Sequence, residues 1–93
     1  MSIAEKAKYV LEELNIIEGM IRPYEAYSYE VSRALEVIDT FRENLKTPEA
    51  IDWKQVLEFL EKAEGQLNYY RGQGPADEIL IHVRRMKSII GKP

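Results

Sequence analysis

The 93-residue sequence has no cysteine and a single histidine, His82. Without thiols there is no disulfide scaffold, no thiolate metal site and no cysteine nucleophile. One histidine cannot build an all-histidine metal centre. Nor can it supply the two Glu-x-x-His pairs of a di-metal carboxylate bundle, and Glu78 stands four residues before it, not three. The four serines, Ser2, Ser28, Ser32 and Ser88, occupy no strand-turn-helix elbow and have one histidine to share, so a nucleophilic triad is not predicted. Long apolar runs are missing as well. No stretch reaches the ~18–20 residues of a membrane span, and the opening MSIAEKAKYV lacks the apolar core of a signal peptide. The expectation is a cytoplasmic, non-enzymatic protein without cofactor or metal and without membrane insertion.

What is present is charge and apolar periodicity. The net charge is −3, but it is unevenly spread. Residues 1–65 carry eight basic and fourteen acidic side chains, and residues 66–93 carry five basic and two acidic. A chain of this length forms one domain, 1–93, and buries only about 60–65% of its extended surface, so its apolar face must be nearly continuous.

Four segments place apolar residues three and four apart, separated by short Gly/Pro punctuation. Ile3, Ala7, Val10, Leu14 and Ile17 form the first stripe, with Ser2 and Glu5 at capping-box spacing and Gly19 as its left-handed terminator. Tyr24, Tyr27, Val31, Ala34, Leu35, Ile38, Phe41 and Leu45 form the second, opened by Pro23. Trp53, Val56, Leu57, Leu60, Ala63, Leu67 and Tyr70 form the third, capped by Asp52 and stopped at Gly72. Ile79, Val83, Met86 and Ile90 form the fourth, behind Pro75, Asp77 and Glu78. No run keeps a strand's period of two. The predicted fold is all-α, with helices over about 3–18, 23–46, 52–71 and 75–90. Because the connections are short, the predicted order is an antiparallel up-down-up-down four-helix bundle.

Residues left outside these stripes are the candidates for function. On a wheel of 100° per residue, Tyr9, Ile16 and Met20 share a side of the first helix away from its inner stripe. Tyr29, Ile81 and Tyr69 point outward on the second, fourth and third helices. Aligned outer apolar and aromatic residues mark an association surface, so Tyr9, Ile16, Met20, Tyr29 and Ile81 are predicted to contact a second copy or a protein partner. Tyr24 and Tyr27 are expected to bury their rings at the bundle's end with wet hydroxyls. Arg71, Arg84, Arg85 and Lys87, with Lys92 beyond them and Tyr69-Tyr70 nearby, form the alternative constellation, a phosphate-tracking patch for nucleic acid. Basic residues late in a helix also answer its dipole and lie along a bundle's flank. Glu18 or Glu64 is expected to pair with Arg42 and fix helix neighbours, while His82 is expected to be a satisfied boundary histidine. The predicted function is a helical interaction protein that self-associates or serves as a small subunit of a larger complex. The alternative is a nucleic-acid-associated subunit.

Overall fold

A computed structural model describes residues 1–91. It is all-helical, with four α-helices: α1 (Ile3–Ile21), α2 (Tyr29–Asn44), α3 (Trp53–Tyr69) and α4 (Ala76–Ile90). Three-residue 3-10 turns, Arg22–Tyr24 and Pro48–Ala50, sit in the first two connections.

The start of α1 follows its sequence signal. The Glu5 N–H donates to Ser2 Oγ at 3.1 Å, and the Ser2 N–H donates back to the Glu5 carboxylate. These bonds satisfy two donors that a helix terminus otherwise leaves unpaired. The end departs from expectation. Gly19 is not in the left-handed region, and the helix runs through it to Ile21, which is buried. Burying an isoleucine is worth about 1.5–3 kcal/mol, more than the roughly 1 kcal/mol that an interior glycine costs.

The second helix begins six residues later than predicted. Pro23 opens the 3-10 turn instead, and Ser28 caps α2 by accepting the Val31 N–H at 3.3 Å. Tyr24 and Tyr27 therefore lie outside any α-helix and outside the core, with Tyr27 86% exposed. A serine at extended φ/ψ is a better helix start than a run of tyrosines, which lose rotamer freedom in a helix. At α3, the Asp52 carboxylate accepts the Gln55 N–H at 3.3 Å as expected. Gly72 and Gly74 then turn the chain at positive φ, +81° and +53°. The Gly72 N–H donates to Asp77 of the first turn of α4 at 3.0 Å, tying the loop to the next helix.

The core is supplied unequally. α1 buries Ala7, Val10, Leu14, Ile17 and Ile21, and α4 buries Ala76, Ile79, Leu80, Val83, Met86 and Ile90. α2 buries only Leu35 and Ile38, and α3 only Leu60. Leu80 and Ala76, outside the predicted inner stripe, are buried because α4 packs against both α1 and α3, so its apolar arc is wide. α2 lies against α1. The α1–α4 pair is thus the middle of the molecule and α2 and α3 are its flanks.

Polar contacts tie this order together. Lys6 Nζ donates to the Ile90 carbonyl at 3.1 Å, and Glu13 meets His82, both across α1–α4. Glu64 on α3 accepts from Lys87 and Arg84 on α4 at 2.7 and 2.9 Å. Arg42 on α2 reaches Glu18 at 3.2 Å and Asn15 at 3.1 Å on α1. The Glu18–Arg42 pair expected from the sequence is present, and Glu64 instead serves the α3–α4 seam.

Candidate functional site

Two apolar surfaces remain after the core is filled, one on each side of the α1–α4 pair. The first is the outer face of α1 and α4. Tyr9, Ile16 and Ile81 are 41%, 45% and 50% exposed. Tyr9 and Ile16 stand four residues before and three after Glu13, and Ile81 is the neighbour of His82. The Glu13–His82 contact therefore brings the α1 pair and Ile81 to one face. Arg85, with no ion pair among the described residues, stands one turn beyond Ile81 on the same side. Met20 does not belong to the exposed set. It is half-buried and packs against the core, because α1 continues past Gly19 and the flexible thioether folds over the core's edge.

Tyr29 is exposed but lies elsewhere, in the first turn of α2. Its hydroxyl accepts from Arg33 at 3.2 Å, and that guanidinium lies 6.0 Å from the ring centroid. This is a local i,i+4 pair, separate from the α1–α4 face. Tyr69 is likewise exposed and packs edge-on against Tyr70, with centroids 5.2 Å apart.

The basic set converges only in part. Glu64 holds Arg84 and Lys87, and those two cations hold its carboxyl below the usual glutamate range, Lys87 having the larger effect. Arg84 also borders a shallow recess of about 400 Å³ with Arg71, Gly72, Asp77 and Leu80. Asp77 supplies an acid inside that recess. Arg85 is exposed and does not line that recess. Lys92 lies outside the described residues. Two of the four predicted phosphate ligands are thus already neutralised within the chain.

The second surface is a cleft of about 650 Å³ between α2 and α3, which the stripe assignment did not foresee. Its floor is core: Val10 and Leu14 from α1, Leu60 from α3 and Met86 from α4. Its walls are Ile38 and Phe41 on α2 and Val56 on α3, and its lips are Val37 and Phe59, 39% and 49% exposed. The cleft exists because α2 packs on α1 while α3 packs on α4, so the flanking helices leave a gap over the central pair. At the connecting end it is closed by Thr47, Ala50 and Ile51, near an edge-on Phe41–Trp53 pair at 6.4 Å. The Trp53 Nε1–H is buried without an acceptor among the described residues. A sequence signal for this cleft did exist. Val37 and Phe59 are apolar residues beside, not within, the inner stripes of their helices.

Among the described residues no group of three or more His, Asp or Glu side chains is placed to hold a metal ion. No helix there is long and apolar enough to cross a membrane. Two apolar surfaces flanked by charge are suited to holding another molecule by burial. Comparison with protein-family models, with curated proteins and with solved structures returns no match.

Proposed function

We propose that this chain is a non-enzymatic, cytoplasmic helical-bundle protein that acts by association, pairing with a second copy through the outer face of α1 and α4. What supports this reading is that Tyr9, Ile16 and Ile81, apolar side chains of the two central helices, are 41–50% exposed in positions that flank the Glu13–His82 contact. A domain this small gains apolar burial from a second copy that its own core cannot supply. The face also bears both signs of charge, Arg85 from α4 and Glu12 and Glu78 beside the apolar residues. A two-fold pairing brings such a patch against itself, so both signs are useful in the same place. Docking of this face into a larger complex is the other form the same reading takes. The nucleic-acid alternative has less support, because Glu64 already engages Arg84 and Lys87.

Sedimentation velocity across protein concentration tests the proposal. A dimer is expected, shifting to monomer in Ile16→Glu, with circular dichroism unchanged because Ile16 is on the surface. A strict monomer at every concentration overturns self-association. Binding of generic DNA or RNA that weakens steeply with salt would move the assignment to the alternative.

A further inference from the structure

The α2–α3 cleft lies on the opposite side of the α1–α4 pair from the proposed dimer face, and it has a different shape and charge. It is a trough, with a buried floor and exposed apolar lips at Val37 and Phe59. On α2 it runs from Val37 to Asn44, about two helical turns at 1.5 Å per residue. Two turns are what an apolar ridge of positions i, i+3 or i+4, and i+7 on a docked helix covers. A small ligand in a bundle is normally enclosed over most of its surface, and a trough with open lips does not enclose.

The charge within the cleft is of one sign. Among the described residues its only charged lining residues are Glu43 and Asp52, both at the end closed by the α2–α3 connection, and no described lysine or arginine lines it. Lys46 pairs with Glu43 at 2.9 Å, but both side chains are about 70% exposed. Such solvent-exposed pairs contribute roughly 0–1 kcal/mol and yield readily to a better partner. Asp52 uses one oxygen, Oδ1, to cap α3.

We infer that this cleft is a docking site for a single amphipathic α-helix of another protein, its apolar ridge between Val37 and Phe59 and a lysine or arginine at the Glu43/Asp52 end. A second copy of this chain fits less well, since the apolar residues of its outer face, Tyr9, Ile16 and Ile81, stand beside Glu12 and Glu78, acids that Glu43 and Asp52 repel. The inference is independent of the proposed dimer, so each can fail alone.

The test is selection of displayed helical peptides from a random library against the full chain. Enriched sequences are expected to share an apolar i, i+3/i+4, i+7 ridge with a basic residue near one end. The best peptide, made synthetically and followed by fluorescence anisotropy, is expected to bind Val37→Glu and Phe59→Glu at least about tenfold more weakly, as loss of a central apolar anchor does. The double variant Glu43→Gln/Asp52→Asn should bind more weakly and with less salt dependence; asparagine still caps a helix, so α3 is preserved. Phe59→Glu should leave sedimentation unchanged, and Ile16→Glu should leave peptide binding unchanged. The inference is overturned if no peptide is enriched, if the enriched set is acidic, or if Phe59→Glu binds as the parent does.

Discussion

Glu13 and His82 meet across the α1–α4 seam, with imidazole Nδ1 2.5 Å from a carboxylate oxygen and the two side chains only 14% and 15% exposed. The sequence's one histidine is therefore spent on joining the two central helices. Its partner lies 69 positions away, so the pair exists only once α1 and α4 have docked.

This pair sets the first expected outcome. Glu13→Ala and His82→Ala should each destabilise the fold by about 1–3 kcal/mol, because each leaves a mostly buried polar group without its partner. In a double-mutant cycle followed by urea unfolding, the coupling should be about 1 kcal/mol, in the range found for residues in contact. Coupling near zero would mean that the seam is held by its apolar contacts alone.

Two glycines should respond to alanine with opposite signs. Gly19 lies within α1, and a Cβ there meets nothing within 4 Å. Gly19→Ala should stabilise the protein by about 0.5–1 kcal/mol. Gly72 also has open space around it, but its φ is +81°. Gly72→Ala should cost about 1–2 kcal/mol. For a chain of this size, 1 kcal/mol moves the melting temperature by roughly 4–8 °C, so a thermal melt separates the two. A stabilising Gly72→Ala would mean that the α3–α4 turn is built differently.

Acid sensitivity should be traceable to Glu64. Hydrogen bonds from Lys87 and then Arg84 lower its pKa in the folded chain. The folded state thus binds this proton less readily than the unfolded chain does, so the pair stabilises the fold above the ordinary glutamate value of about 4.3 and loses that contribution as pH falls further. The stability difference between the parent and Glu64→Gln should be flat from about pH 5 to 8 and shrink below about pH 4. A difference that does not change on acidification would show that the ion pair contributes nothing. Glu18, whose pKa is lowered by Arg22 and then by Arg42, should behave the same way.

The helices were legible wherever a local rule governs them. Ser2 with Glu5 and Asp52 with Gln55 set starts that the structure keeps, and Gly72 turns the chain at positive φ after α3 ends. Local rules misled where two of them competed. Pro23 and Ser28 are both credible starts for α2, and the stripe through Tyr24 and Tyr27 favoured the wrong one. Gly19 resembles a terminator until Ile21 is seen to be buried. At α2 a local serine cap outweighed the apolar stripe; at Gly19 the winner was decided by the burial of Ile21 against distant segments, which periodicity along a single helix does not contain.

The same division holds for the surfaces. Alone, the sequence determined an all-helical chain of four segments, the identity of most core residues on α1 and α4, and the outward direction of Tyr9, Ile16 and Ile81, because an apolar stripe has a direction relative to its own helix axis. Tertiary structure decided which helices are neighbours. It put Glu64 against Arg84 and Lys87 and so divided the basic set, folded Met20 onto the core, and gave the histidine to Glu13. It also left the cleft between α2 and α3. A cleft is a property of the distance between two helices, and no pattern within either helix encodes that distance.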